Sequence, residues 1–302
     1  MKDIAVIHYR SVRHSNWSLL TDAAHRSRIT LHSFEPHRFQ LYCTDRDLEV
    51  RYAGEAFRPD VVLHRTVAFF RGIIVPVLAA CEENGSTVLN EGEASYASRD
   101  KVLTYLALRQ GGVPIVESVA LVDPEGLELD SVARGQDIIV KPSLGVRGEG
   151  IRTYPSTGAV IEEWRVPAFD VQSNAQRETY LAQPLVAGGG HDIRAFVVGE
   201  ECMALMERTA GPGEVRANLH LGATGSPLPL HHPAAEVAVH ALRAAGLDYG
   251  GVDLIEDESG VIRVLEVDAW AGFSGITATT GVDVAGAILR LALQRHRENG
   301  TR

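Results

Sequence analysis

Gly251-Val-Asp253-Leu-Ile-Glu-Asp-Glu-Ser-Gly-Val-Ile-Arg-Val-Leu-Glu266-Val-Asp268 decides how the rest of this chain is read. Two apolar runs flank the turn Glu256-Asp-Glu-Ser-Gly260, which predicts a tight hairpin. Side chains alternate between the faces of a strand, so Glu266 and Asp268 point the same way. Folding back around residues 258–259 sets Asp253 opposite about residue 264, beside both of them. Three carboxylates then converge on a strand pair that is otherwise valine, leucine and isoleucine. Like charges so close need a cation, and an all-oxygen ligand set favours Mg2+ over zinc. A solvated acidic face is the alternative that the hairpin alone leaves open.

Upstream, Asp137–Pro142 reads as a strand running into Ser143-Leu-Gly145-Val-Arg147-Gly148-Glu-Gly150, and Ile151–Tyr154 as the next strand. Strand, glycine loop and strand make a flap. It is not a Walker A loop, since no Gly-Lys-Ser/Thr opens a helix, nor a dinucleotide turn, since a strand follows. Glycines let backbone N–H groups come close to phosphate oxygens, and Lys141 ends the preceding strand where it can meet the same phosphates. A flexible turn would look the same by itself. With the acidic hairpin downstream, the loop reads as nucleotide-binding.

Residues 1–90 alternate strand and helix. Ile4–His8, Val61–His64 and Thr87–Asn90 read as strands, and Gly72–Glu83 as a helix ending at Asn84-Gly85. This predicts a small doubly wound α/β lobe. Tyr9-Arg-Ser-Val-Arg-His stands where GxGxxG would follow the first strand, which argues against a dinucleotide site there. Ser98 is the expected cap of a helix from Arg99 to Gln110, with Val102, Tyr105 and Leu106 on its apolar face. Strands are expected at 118–122, 179–186, 193–199 and 202–208, and a helix at about 233–245. Residues 155–176 and 210–230 show little pattern. A last helix starts near Asp283, with Val284, Ile288, Leu291 and Ala292 in one stripe.

A chain of 302 residues with 45% hydrophobic and 23% charged residues has room for two or three lobes of a soluble enzyme. The net charge of -10 gives no electrostatic support for nucleic-acid binding. Cys43, Cys81 and Cys202 are odd in number and scattered, which suggests neither a disulfide frame nor a zinc knuckle and fits a reducing compartment. The N-terminus reads as a strand rather than a signal peptide. The longest apolar run, Gly72–Cys81, is too short to cross a bilayer.

Seven segments then carry a resemblance. They are Ser98-Arg-Asp-Lys101; Ile139-Val-Lys141-Pro with its glycine loop; Gly190-His-Asp192-Ile-Arg194-Ala-Phe-Val-Val-Gly199; and Arg216-Ala-Asn218-Leu-His220. Gly251-Val-Asp253, Leu265-Glu266-Val-Asp268 and Gly275-Ile-Thr-Ala-Thr-Thr280-Gly-Val-Asp283 complete the set. The chain resembles an ATP-grasp carboxylate–amine ligase of the RimK type, the group that holds a ribosomal-protein glutamate ligase. The match runs in family order over residues 88–292; before that it is one of layout only.

The resemblance implies an α/β ATP-grasp fold in three parts: an N-terminal lobe over 1–95, a central lobe with the flap over 96–186, and a C-terminal lobe with the metal site over 187–302. It implies ATP and Mg2+ (or Mn2+), with two ions, as cofactors. Lys101, Lys141, Gly145 and Gly148 would hold phosphates. The hinge carrying Gln183, Leu185 and Val186 would face adenine, with Asp192 at the nucleotide. Arg194 and Arg208 would face an acyl phosphate, and Arg216 and Asn218 would lie near phosphates and acceptor. Asp253, Glu266 and Asp268 would hold the metal. Three departures stand out: Asp268 replaces a usual asparagine, the hinge carries Gln183-Pro184 where an acidic residue and an aromatic or aliphatic one are usual, and Ala-Trp270-Ala-Gly-Phe273 follows where a proline is common.

The expected reaction joins an amino-acid carboxylate to an amine through an acyl phosphate, releasing ADP. Departures on the substrate side favour small amino-acid-like substrates. A glutamate ligase acting on a protein or carrier-protein tail, and a non-catalytic nucleotide-binding module, are the rival readings. The expected setting is a cytoplasmic homo-oligomer, dimer or tetramer, with neither nucleic-acid nor membrane partners.

Overall fold

The computed structural model describes residues 2–300 except 10–13, 46, 67–69, 123–132, 134, 146–149, 164–178, 187–189, 212–213, 215–216 and 218–221. Strand β1 (Lys2–His8) leads through a helix, His14–Arg26, to β2 (Ile29–Phe34). A small antiparallel sheet follows, of β3 (Phe39–Cys43), β4 (Leu48–Tyr52) and β5 (Glu55–Ala56). The chain returns through β6 (Val61–Arg65), helix Arg71–Glu83, β7 (Thr87–Leu89) and a short helix, Gly92–Ala97. Strands β2-β1-β6-β7 pair in parallel in that order, as the continuous apolar runs predict. The β3–β5 sheet was not legible as such. Edge-to-face contacts among Phe34, Phe39, Tyr52 and Phe57 hold it to the sheet, and these rings are dispersed in sequence.

Helix Lys101–Gln110 follows, and its cap differs from the expectation. Asp100, rather than Ser98, accepts from the Val102 and Leu103 N–H groups. Ser98 closes the preceding short helix and donates to the Ser95 carbonyl. The inward face is Lys101, Thr104, Tyr105 and Leu108, while Leu106 is exposed. Next come β8 (Val119–Leu121), β9 (Ile138–Pro142) and β10 (Arg152–Tyr154). Helix Thr157–Glu163, in a stretch that reads as loop, precedes β11 (Tyr180–Pro184). The central sheet runs β10-β9-β11-β8, all antiparallel.

The third sheet is built from β12 (His191–Val198), β13 (Glu201–Thr209), β14 (Thr224–Leu228), β15 (Tyr249–Glu256) and β16 (Ile262–Asp268). Its order is β14-β13-β12-β15-β16, antiparallel throughout. Strand β14 falls where little pattern was visible, because its residues are mostly exposed and include Pro227. One face packs on helix Ala234–Ala244. Part of the other meets helix Val284–Asn299, capped by Asp283, whose stripe Val284, Ile288, Leu291 and Ala292 is buried as expected. That helix also covers the N-terminal sheet, so Ile4, Val6, Val61 and Leu63 share one core with Phe196, Met206 and Tyr249.

No single helix among the described residues is long and apolar enough to cross a membrane. All three cysteines are free.

Candidate active site

One face of the C-terminal sheet carries the charges. The β15–β16 register has an irregularity next to Asp253, and this corrects the expected pairing. Asp253 stands directly opposite Glu266, and Gly251 opposite Asp268. On the other side Asp253 faces Arg194, while Asp192 faces Arg208. Period-two alternation therefore puts Arg208, Asp192, Arg194, Asp253, Glu266 and Asp268 on one face across four strands. The opposite face keeps Val252, Leu254, Val264 and Val267 in the core.

These charges pair with one another. Arg208 Nε and Nη2 donate to the two Asp192 oxygens, each at 2.6 Å. Its Nη2 also lies 3.0 Å from Asp253 Oδ1, and Arg194 Nε reaches the same oxygen at 3.0 Å. The Arg208 side chain is only 4% exposed, so its fork is spent inside the sheet. Burial pushes the Asp192 carboxyl up, to about 6, against the pull of Arg208. Burial would discharge Arg208, but Asp253 and Asp192 hold it charged. Gly251 makes room for this layer. A Cβ there would lie 2.6 Å from Arg194 Nη1 and 2.5 Å from the Ala271 methyl.

Asp268 is held separately. Arg99 Nη1 donates to its Oδ1 at 3.3 Å and the Trp270 N–H to the same atom at 2.9 Å. Burial would raise its pKa, yet Arg99, the Trp270 N–H, Arg194 and Arg65 together lower it. The three carboxylates thus share a face without closing into one cluster. Among the described residues, no three Asp, Glu, His or Cys side chains are gathered to hold a metal ion alone. Each carboxylate is drawn instead to a cation of the chain. Their chemistry still fits Mg2+, which usually takes one or two carboxylates and completes its shell with phosphates and water.

The facing wall supplies two lysines. Lys101 opens its helix, and its N–H donates to the Ser143 carbonyl at 3.0 Å; the Ser143 hydroxyl donates to the capping Asp100. This stitch ties the start of the helix to the end of β9, where Lys141 lies. Lys101 Nζ is 3.9 Å from Glu266 Oε1. Burial pulls Lys141 down to about 8, while Glu266, Asp253 and Asp192 favour its charge and Lys101 opposes it. Gly145 is described and half-buried. Gly150 takes a left-handed φ of +73°, and a Cβ there would strike Pro142 at 2.7 Å.

Gln183 lies on the same face of the central sheet as Lys141 but is buried there. Its amide donates to the Tyr105 hydroxyl at 2.7 Å and Ser118 at 2.8 Å, a buried network that commits the side chain and fixes the hinge. The Leu185 N–H donates to Asp137 O at 2.7 Å, and Val186 follows it at the end of the strand. Gly148, Arg216 and Asn218 lie outside the described residues. Sequence reasoning gave no role to Arg99 or Arg65. Arg99 sits inside the quoted Ser98–Lys101 segment, which was a usable signal. Arg65 merely ends an apolar strand.

A model of the RimK-like ATP-grasp domain matches residues 100–292. A protein of Azotobacter vinelandii named "Probable alpha-L-glutamate ligase" is 32% identical over 257 residues, 83% of this chain and 82% of its own. One of Hahella chejuensis, "Probable alpha-L-glutamate ligase 2", is 34% identical over 247 residues, 80% of this chain and 79% of its own. The fold is shared with the ATP-grasp ligase PsnB complexed with minimal precursor: TM-score 0.74 at 22% identity, covering 97% of this chain and 99% of that one. Two antiparallel sheets that face each other, with lysines on one wall and carboxylates on the other, together with the matching domain model make this an ATP-grasp enzyme. The chain belongs to the RimK-like ATP-grasp family and is an ATP-dependent carbon–nitrogen ligase.

Proposed function

We propose that this ligase joins an amino-acid carboxylate to an amine through an acyl phosphate, with small amino-acid-like molecules as substrates. The observation that carries the reading is the meeting of Lys101 and Lys141 with Glu266 across the cleft, beside the Asp253 layer. Such a site neutralises a polyphosphate from one side and leaves carboxylate oxygens for its metal on the other. Lys101 and Lys141 bind the nucleotide phosphates, with Gly145 at the mouth of the flap. Leu185 and Val186 border the adenine, and Gln183 anchors the hinge through Tyr105 and Ser118. Asp253, Glu266 and Asp268 provide the oxygens for two Mg2+ ions, which supply charge neutralisation at the transferred phosphoryl group.

The two arginines take different parts. Arg194, 16% exposed, faces the developing charge on the acyl phosphate. Arg208, buried beneath, holds Asp192 and Asp253 in place. Arg216 and Asn218 contact phosphates and acceptor. The amine arrives neutral, since the site offers it carboxylates committed to cations rather than a free base.

Glutamate is the first substrate to try, because two relatives are named for it. Incubation with ATP, Mg2+ and pooled amino acids, followed by mass spectrometry, should show a new mass equal to two amino acids less water. Products formed only when a peptide is supplied would replace the small-molecule reading with a peptide-tail ligase. No ATP turnover with either would leave a nucleotide-binding module.

A further inference from the structure

Arg65 ends β6 and pairs in register with His8, the last residue of β1. The order β2-β1-β6-β7 reverses direction between β1 and β6, so Arg65 stands at the crevice that such sheets form at their carboxyl ends. Its side chain then crosses to the C-terminal sheet. Nη2 donates to the Trp270 carbonyl at 3.1 Å and the Ala271 carbonyl at 2.8 Å. The guanidinium lies 5.1 Å over the Phe273 ring.

The segment it grips follows directly on Asp268. The Trp270 main chain is held by Arg65 at its carbonyl and donates through its N–H to Asp268 Oδ1. Arg99 reaches the same oxygen and lies 5.7 Å over the Trp270 ring, whose other side meets Tyr96 edge-on at 4.8 Å. Without Arg65, the Trp270 and Ala271 carbonyls would lose their tie to β6. Both bonds come from the one Nη2, while the planar guanidinium also lies over the Phe273 ring, a placement that a lysine ammonium does not copy.

We infer that Arg65 is a positioning residue that sets the orientation of the Asp268 carboxylate through the Trp270–Ala271 main chain; this rests on the metal reading of Asp268 given above. Groups behind metal ligands commonly change affinity by about 10–100-fold. A mere strut between sheets would change stability and leave the metal untouched.

Mn2+ uptake in the presence of a non-hydrolysable ATP analogue, read from the signal of free Mn2+ by electron paramagnetic resonance, separates these. Arg65→Met keeps the stem over Phe273 and should weaken Mn2+ binding by about 10-fold. Arg65→Lys, which keeps the charge and a donor but not the plane over Phe273, should fall between it and the wild type. In an Asp268→Ala background the same Arg65→Met change should do nothing more, because the two act on one ligand. Unchanged Mn2+ affinity in both Arg65 variants, or equal weakening with and without Asp268, would overturn the proposal. If the wild type itself holds no Mn2+ with the analogue, the metal reading fails and the proposal falls with it. If the wild type binds and only Arg65 is silent, the metal reading stands alone.

Discussion

The wall of the cleft formed by β12, β13, β15 and β16 stands on a core shared with the N-terminal sheet, whereas the wall formed by β9 and β11 stands on a small core of its own. The first is backed by the 234–244 helix, and its charged face runs on into the 284–299 helix and residues as far apart as Ile4 and Phe196. The second rests on Leu121, Ala133, Ile138, Val140, Tyr154, Val160 and Ala182. Their charges differ in the same way. On the large wall, Arg208, Asp192, Arg194 and Asp253 satisfy one another. On the small wall, Lys141 is buried with only the opposite wall's carboxylates to favour its charge. One wall is complete without ligand; the other carries charge that a polyanion would relieve.

Removing charge should therefore have opposite effects on the two walls. Arg208→Ala leaves Asp192 buried without its partner and Asp253 with Arg194 alone, which should cost about 3–5 kcal/mol in urea unfolding without nucleotide. Lys141→Met should instead stabilise the nucleotide-free protein, by up to about 3 kcal/mol, while abolishing nucleotide binding. Stabilisation by both changes, or by neither, would break the comparison.

The pH dependence has the matching sign. The folded pKa of Lys141, about 8, lies below its ordinary 10.5, so the unfolded chain holds more protons between those values. The contribution of Lys141 to stability should rise with pH from about 8 to 10.5 and vanish in Lys141→Met. Phosphate favours the charged lysine, so nucleotide binding near pH 8 should take up protons. Calorimetry in two buffers of different ionisation enthalpy reads this directly.

Glu266 belongs to the large wall by position and to the cleft by contact. Glu266→Gln should lower turnover by roughly 100-fold or more and leave the melting temperature nearly unchanged. Loss of activity through unfolding would move Glu266 to the structural side. The smallest effect is expected at Asp268. Its asparagine variant still accepts from the Trp270 N–H, so activity should persist, with the Mg2+ requirement raised by about 10-fold or less.

How much of this was legible in the sequence follows the same division. The hairpin 251–268 could be read because alternation and a glycine turn dictate its faces. Its register was off because a bulge depends on neighbouring strands, not on local pattern. Lys141 was legible from the glycine loop. The commitment of Arg208 to Asp192 and Asp253 was not, since those residues lie 16 and 45 positions away and meet only through strand order. Gln183 was assigned to the adenine by the resemblance alone, and its hydrogen-bond partners could not be foreseen. Its buried partners Tyr105 and Ser118 come from distant elements that no local pattern links. Arg65 carried no signal of its own, because its partners are main-chain carbonyls of a loop two hundred residues on.

The central claim is that the two walls together transfer the terminal phosphoryl group of ATP to a carboxylate. The most direct test is product analysis with purified enzyme, Mg2+, ATP and glutamate, with hydroxylamine added to intercept the activated acid. ADP, phosphate and a hydroxamate should form together, and all three should disappear in Glu266→Gln. Formation of AMP and pyrophosphate would instead mean an acyl adenylate, and would contradict the account.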